Sequence, residues 1–197
     1  MESLNTHLFL LWNAPAHPAP FAYAAAVLCA EYLIWLVPLG LMLGWLKAGQ
    51  VVRQQLLLAA LAGLAALVTN QLIGLVWYHP RPFEIGLGHT LVPHVLDSSF
   101  PSDHLTLLWA VAFALFAPST RPEGIALAII GLPVAWARIY LGVHYPFDML
   151  GAALVATVWA WVVHHGGARI AAWVYPLVLR LYRVMFAPLI RRGWVLP

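Results

Sequence analysis

Two short segments, far apart in the sequence, carry residue types that could transfer a phosphoryl group. FPSDH, residues 100–104, places a serine, an acid and a histidine at the start of a long apolar run. ARIYLGVHYPFD, residues 137–148, combines an arginine, a histidine and an acid. The spacing within each segment indicates what the side chains could do. The residues concerned are Ser102, Asp103, His104, Arg138, His144 and Asp148.

The spacing of His144 and Asp148 favours a nucleophilic imidazole. Residues four apart meet on one face of a helix, so Asp148 could hold the His144 ring in one tautomer and stabilise its cation. The other ring nitrogen would then be free to attack phosphorus. His104 could protonate a leaving oxygen or activate a water molecule. Together these residues predict a phosphatase that works through a phosphohistidine intermediate.

The composition places this chemistry in a membrane protein. The chain has 197 residues, of which 63% are hydrophobic and 9% charged, and its mean hydropathy is +0.84. Soluble domains are about one quarter charged, so we predict an integral membrane protein with a length that suits one domain. The net charge of +3 does not indicate nucleic-acid binding. The single cysteine, Cys29, excludes an intrachain disulfide.

Five apolar segments could cross a bilayer, which requires about 20 residues per helix. The third is short and begins near Ser102. We therefore predict an all-α membrane bundle of five helices, forming one phosphatase domain over residues 1–197 with its core at about 20–165. The apolar bodies of the five segments are residues 21–46, 56–77, 105–116, 124–141 and 147–163.

The two ends of the chain predict helices at the membrane surface. The N-terminus has no basic region before its short apolar stretch, so it resembles an amphipathic surface helix rather than a signal peptide. Residues 168–192 are apolar but interrupted by Arg180 and Arg183, which lie three apart on one helical face. That pattern suits an interfacial helix, with a sixth membrane span as the alternative.

The basic residues predict the orientation in the membrane. With five spans, eight of the ten lysines and arginines fall on one side, and only Arg81 and Arg138 fall on the other. The basic side, which includes the C-terminus, should be cytoplasmic. The other side, periplasmic or extracellular, would hold the starts of the third and fifth helices. Helix N-termini attract anions, so these starts and the two arginines predict a phosphate site, with Ser102 as an N-cap.

Three motifs resemble those of the type 2 phosphatidic acid phosphatase superfamily. HPRPF, PSDH and R-x5-H-x3-D occur in the order of that family's K-x6-RP, PSGH and SR-x5-H-x3-D motifs, within residues 20–165. The resemblance implies a helical bundle and a metal-independent mechanism without a cofactor, acting on a membrane lipid phosphate. It implies that His144 is the nucleophile, that Asp148 orients it, that His104 is the acid and base, and that Arg81, Ser102 and Arg138 bind phosphate.

Three positions depart from the family pattern. Gly74 stands where the first motif has a lysine, Asp103 replaces a glycine, and Ala137 replaces a serine. His79 or the lipid headgroup could compensate for the missing lysine. Asp103, together with AEYLIW and NQLIG, is similar to the BcrC-type undecaprenyl-diphosphatase branch. That branch removes one phosphate from undecaprenyl diphosphate, a polyprenyl diphosphate, and so regenerates the carrier lipid of cell-wall synthesis.

Two other functions are compatible with the same residues. A sibling lipid phosphatase or phosphotransferase, acting on phosphatidylglycerophosphate, phosphatidate or a lipid A phosphate, would need the same site. A lipid transporter would be expected to show paired repeats and a binding site at the midplane. The sequence shows no repeat, and the polar cluster lies at one interface.

The remaining polar residues have structural interpretations beside the functional ones. Glu31 is the only acid well inside an apolar span, where acids are functional candidates. It could pair with an arginine at the site or serve as a hydrogen-bonding residue of the bundle. Asp103 could simply favour its helix dipole. His89 and His94 fit the surface of the outer loop better than a binding site.

Overall fold

The computed structural model describes residues 2–197, and within this range it contains eight α-helices and no strand. A π-helical turn, Leu28–Tyr32, and a 3-10 turn, Leu33–Trp35, join the second and third helices into one continuous segment. A further 3-10 turn covers Pro82–Ile85. The helices are α1 Glu2–Trp12, α2 Pro20–Val27, α3 Leu36–Lys47, α4 Gln50–Val76, α5 Asp103–Ala114, α6 Arg121–Tyr140, α7 Pro146–Met185 and α8 Ala187–Arg191.

Four helical segments of residues 2–197 are long and apolar enough to cross a membrane, and α5 is a shorter apolar helix beside them. The protein is a multi-pass membrane protein, and the predicted all-α bundle is confirmed. The four segments are Pro20–Lys47, Gln50–Val76, Arg121–Tyr140 and Pro146–Met185.

The short helix α5 lies at the centre of the bundle. It packs against α4, α6 and α7, and Leu105, Leu108 and Val111 are fully buried. Close approach of the neighbouring α4 depends on Gly63, since an added Cβ would lie 2.8 Å from Leu107 and 3.0 Å from Val111. Protein therefore surrounds α5 and shields its helix ends from lipid.

One end of the bundle brings together the chain segments that carry the three motifs. Helices α4 and α6 end there, and α5 and α7 begin there. The tight turn between α6 and α7 requires Gly142, whose φ is +81° and whose added Cβ would lie 2.1 Å from the carbonyl oxygen of His89. The segment from residue 77 to 102 folds over this end, where the Leu91 amide donates to the Leu141 carbonyl at 3.1 Å.

The N-terminal helix α1 packs across the start of α7. Phe9 is fully buried, and the side-chain oxygen of Asn5 accepts the Phe147 amide at 3.0 Å. Asn13 donates to the carbonyl oxygens of His89 and Tyr140 at 2.9 and 3.1 Å. The helix that the sequence predicts at the membrane surface thus packs against the bundle and stabilises the end that carries the site.

The C-terminal segment does not form a separate helix at residue 168. It continues α7, which runs for 40 residues to Met185. At the end of the bundle opposite the motifs, Arg53 is buried and donates to the carbonyls of Trp45 at 2.8 Å and Leu196 at 2.7 Å. These bonds attach the last residues of the chain to the turn between α3 and α4.

Candidate active site

His144 and Asp148 form a buried pair at the start of α7. The Nδ1 of His144 lies 3.1 Å from Oδ2 of Asp148, and both side chains are 1% exposed. Pro146 occupies the first turn of α7, a position that suits proline because its missing N–H needs no partner there. The two side chains meet as the four-residue spacing predicts, but His144 lies just before the helix and not within it. The N-terminus of α7 favours the charge of Asp148.

The Asp148 carboxylate is held by two further donors. Oδ2 accepts the backbone amide of Tyr145 at 2.8 Å and the hydroxyl of Ser99. The Ser99 hydroxyl oxygen also lies 3.4 Å from Nδ1 of His144, and Ser99 is fully buried. Ser99 was not among the site residues predicted from the sequence. Its position two residues before the PSDH motif was the only signal in the sequence. This signal is weak, because a serine near a motif has many ordinary roles.

Arg81 approaches the second nitrogen of the His144 ring. Its Nη1 lies 3.1 Å from Nε2 of His144 and donates to the Val143 carbonyl at 2.8 Å. Its Nε pairs with Asp97 at 2.8 Å. Because a guanidinium can only donate, Nε2 of His144 accepts, and Nδ1 carries the proton toward Asp148. The unprotonated Nε2 therefore faces Arg81, which is a candidate for binding phosphate.

Burial keeps His144 neutral. Removal from solvent, reinforced by the positive charges of Arg81 and Arg138, holds the pKa of His144 well below its ordinary value of 6.5. Burial and the same two arginines lower the pKa of His94 to about 4. Both imidazoles are therefore neutral at neutral pH, and each can accept a hydrogen bond from its arginine.

Arg138 lies in the last turn of α6, with its side chain 1% exposed. Its Nη1 donates to Oε1 of Glu31 at 3.3 Å, and its Nη2 donates to Nε2 of His94 at 2.7 Å. Glu31 does pair with an arginine, which was one of the two roles expected for it. His94 is not the surface residue that the sequence favoured, because the loop folds inward and its ring reaches 6.3 Å from that of His144.

Ser102 immediately precedes α5 and is fully buried. It occupies the N-cap position, but its hydroxyl makes no capping bond, and its Oγ has no hydrogen-bond partner among residues 2–197. Within the same range, the Nε of Arg138 is likewise buried without a partner. Unsatisfied buried polar groups are rare and call for an explanation. A bound oxyanion is one kind of group that could supply an acceptor to such a donor.

A cavity of about 420 Å³ opens at this end of the bundle, and one of its lining residues, His94, has its ring 6.3 Å from that of His144. His104, in the first turn of α5, faces it together with Glu31, His94 and Arg138. His144 lies behind this wall and is 1% exposed. A phosphoryl group that reaches His144 would therefore leave the rest of its substrate beside His104 in the cavity.

Two candidates from the sequence have contacts outside this cavity. The carboxylate of Asp103 accepts from Asn70 at 2.8 Å and from Gln71 at 2.9 Å, so it ties α5 to α4. The His79 ring packs against the aromatic rings of Trp77 and Tyr145, with centroids 5.6 and 5.5 Å away. The cavity wall contains neither side chain.

A neighbouring segment packs against Gly74, which stands where the family motif has a lysine. A Cβ added to Gly74 would lie 3.0 Å from Cβ of Ser98. Ser98 belongs to the segment that carries Asp97 and Ser99, so this segment packs where a longer side chain would otherwise start. Within residues 2–197, no group of three or more His, Cys, Asp or Glu side chains is arranged to hold a metal ion.

Comparison with known proteins agrees with this geometry. The PAP2 superfamily model matches residues 55–184, which include the second and third motifs, Arg81 and all of α5 and α6. The chain belongs to the PAP2 superfamily. The resemblance that rested on three motifs is thus confirmed, and the matched region extends well beyond them.

The chain is similar to two bacterial relatives over nearly its whole length. One, from Escherichia coli (strain K12), carries the provisional name undecaprenyl-diphosphatase YbjG and is 35% identical, over 99% of this chain and 98% of its own. The other, undecaprenyl-diphosphatase BcrC of Bacillus subtilis (strain 168), is 34% identical over 96% of this chain and 97% of its own. These matches confirm the predicted BcrC-type branch.

A solved structure shows the same fold. The crystal structure of Aquifex aeolicus LpxE superimposes with a TM-score of 0.61 and covers 81% of this chain and 93% of its own. The two sequences are 24% identical, so this likeness concerns the arrangement of the helices.

Proposed function

We propose that this protein is a lipid pyrophosphate phosphatase that hydrolyses undecaprenyl diphosphate to undecaprenyl phosphate and inorganic phosphate. The observation that carries the proposal is the buried His144, with Nδ1 on Asp148 and Nε2 beside Arg81. Full-length similarity to proteins named as undecaprenyl-diphosphatases supports the choice of substrate.

The first half of the reaction transfers the terminal phosphoryl group to the protein. Nε2 of His144 attacks the terminal phosphorus, and the bond from that phosphorus to the bridging oxygen breaks. The departing lipid phosphate is a better leaving group than an alkoxide, and His104 can donate a proton to it when its ring is protonated. Arg81, Arg138 and Ser102 donate to the oxygens of the transferred group, where negative charge is concentrated in the transition state. Asp148 stabilises the positive charge on the His144 ring.

The second half releases inorganic phosphate. His104 accepts a proton from a water molecule, whose oxygen attacks the phosphohistidine as the bond from phosphorus to nitrogen breaks. His144 returns to its neutral form beside Asp148, and phosphate leaves through the cavity. Both steps use only side chains of this chain, so we expect neither a metal ion nor a cofactor to be required.

The proposed location follows from the distribution of charge. The bundle end opposite the site holds most of the basic residues, and basic loops remain on the cytoplasmic side. The site would then face the periplasm or the exterior of a bacterial inner membrane, where the carrier lipid is returned for cell-wall synthesis. The substrate would arrive laterally from the bilayer.

The test is phosphate release from undecaprenyl diphosphate by the purified protein in detergent with EDTA, compared with His144→Ala. Phosphatidylglycerophosphate, phosphatidate and a lipid A phosphate are assayed in parallel. We expect EDTA-resistant release that prefers the diphosphate and disappears in the variant. Preference for another lipid would retain the mechanism and change the substrate. Full activity of His144→Ala would overturn the mechanism, and lipid transport without hydrolysis would favour a transporter.

A further inference from the structure

Glu31 lies at an irregular point of the first membrane segment. The helix changes there from α to a π-helical turn, Leu28–Tyr32, and then to a 3-10 turn, Leu33–Trp35. π-Helical turns inside α-helices are frequently found at functional sites. Glu31 belongs to this turn and faces the same cavity as His104 and Arg138. An acid here is close to the group expected to bind an anion.

Each of the two terminal nitrogens of Arg138 already has an acceptor. Nη1 donates to Glu31 at 3.3 Å and Nη2 donates to His94 at 2.7 Å. The low pKa of His94, about 4, makes this ring a neutral acceptor at neutral pH. Other N–H groups of Arg138 remain available, including the unpartnered Nε. A phosphate that also used Nη1 would nevertheless compete with the Glu31 carboxylate for the same cation.

The two partners of the ion pair differ in how easily they can move. The Arg138 side chain is 1% exposed, whereas that of Glu31 is 44% exposed. A buried cation needs a counter-charge, so Arg138 is costly to leave alone when the site is empty. Glu31 can supply that charge, and its carboxylate, which is not enclosed by protein, can move away from Arg138 into the cavity that both residues line. The 3.3 Å distance is also longer than a strong charge-assisted hydrogen bond.

We propose that Glu31 is a displaceable counter-anion of Arg138, which gives up the guanidinium to an entering phosphate group and takes it back when inorganic phosphate leaves. This proposal rests on the proposed function, since it requires phosphate at Arg138. The consequence concerns product release. A substrate held also by its lipid chain can displace Glu31, whereas free phosphate competes with the carboxylate and binds weakly. Glu31 is thus a positioning residue that keeps the product from inhibiting the enzyme.

The proposal predicts an effect opposite to that of ordinary structural damage. In Glu31→Gln the competing negative charge is absent, so inorganic phosphate should bind more tightly. An exposed or partly exposed ion pair is worth up to about 1 kcal/mol, which corresponds to roughly a fivefold lower inhibition constant for phosphate. The same decrease is expected for orthovanadate. Turnover should fall or stay unchanged, because product release slows.

The experiment uses the full-length protein in detergent and measures phosphate affinity in two ways. One is product inhibition during hydrolysis of undecaprenyl diphosphate. The other is titration with inorganic phosphate alone, followed by ³¹P NMR line broadening. Glu123→Gln is the matched control, since Glu123 lies in the first turn of α6 at the far end of the bundle. Glu31→Asp, which retains a shorter carboxylate, should give an intermediate affinity and provides a second variant if Glu31→Gln does not fold.

The outcomes separate this proposal from the proposed function. If the wild type hydrolyses the diphosphate and binds phosphate, but the Glu31 variants bind phosphate equally or more weakly, the role of Glu31 is wrong and the enzyme assignment stands. If the wild type neither hydrolyses a lipid phosphate nor binds phosphate, both proposals fail. Tighter phosphate binding in Glu31→Gln, with no change in Glu123→Gln, supports the displaceable counter-anion.

Discussion

Ser99 shows how one hydroxyl can orient a catalytic pair. It donates to the same oxygen of Asp148 that accepts from His144, so a residue outside α7 restricts the carboxylate. In Ser99→Ala we expect kcat to fall roughly tenfold or more, because a hydrogen bond to a charged group is worth about 1.5–3 kcal/mol. KM should change little. Steady-state hydrolysis of the diphosphate measures both constants.

The neighbouring serine provides the control for this prediction. Ser98 is bonded to the His79 amide at 3.2 Å and to the Phe100 carbonyl at 3.3 Å, and its hydroxyl does not contact the catalytic pair. Ser98→Ala should therefore retain nearly full kcat. An equal loss in both variants would show that the segment responds to any serine replacement, and that Ser99 has no special role.

The lowered pKa of His144 predicts where activity is lost in acid. A histidine with its ordinary pKa of 6.5 would be half protonated at that pH, and its protonated ring could not attack phosphorus. Because the pKa of His144 lies well below 6.5, its neutral form persists as the pH falls through 6.5. The acidic limb of kcat/KM, which reports the free enzyme, should lie below pH 6.5.

Ionisation of the substrate must be separated from that of the enzyme. The pH profile is therefore measured with a diphosphate and with a monophosphate ester, because a limb that belongs to the substrate moves between them. A shared limb at or above pH 6.5 would contradict the assignment of His144 as a buried, neutral nucleophile.

At the scale of the elements, polar side chains join α4 to the start of α5. Asn70 is buried and donates to Asp103 at 2.8 Å and to the Thr106 hydroxyl at 3.0 Å. These bonds hold the first turn of α5, which carries His104. Asn70→Ala should destabilise the protein by about 1–3 kcal/mol, the cost of leaving buried partners unsatisfied. The measurement is the midpoint of thermal unfolding in detergent.

Gln71 is the comparison within the same helix. It donates to the other oxygen of Asp103 at 2.9 Å but lies at the exposed surface. Its amide is not enclosed by protein, so Gln71→Ala should lower the unfolding midpoint much less. If Gln71→Ala were as destabilising as Asn70→Ala, burial would not explain the contribution of the Asn70 hydrogen bonds to stability.

At the scale of the whole molecule, the charge distribution predicts the side of the membrane that the site faces. His89, in the segment over the site, and Gln50, at the opposite end of the bundle, are both exposed. In a background with Cys29→Ala, we introduce His89→Cys or Gln50→Cys and treat intact cells with a membrane-impermeant maleimide. Only His89→Cys should be labelled, and Gln50→Cys should react after the cells are opened. The reverse pattern would place the site in the cytoplasm.

Much of the protein could be predicted from the sequence because the signals were local. Apolar length predicts membrane helices, and the four-residue spacing of His144 and Asp148 predicts that these side chains meet, although His144 lies just before α7. The third predicted helix, with an apolar body and a polar start, corresponds to α5. The alternation of spans correctly placed Arg81, Arg138 and the two histidines of the motifs at one end of the bundle.

Only the tertiary structure decided how the long segment from residue 77 to 102 uses its polar residues. It folds Ser99 against Asp148 and brings His94 to Arg138, and no periodic pattern specifies such contacts. It also shows that Asp103 joins two helices and that residues 168–185 continue α7. Hydropathy and spacing determined which helices form and which ends meet. The contacts within the site depend on loop conformation and burial, which are set by packing between segments distant in sequence.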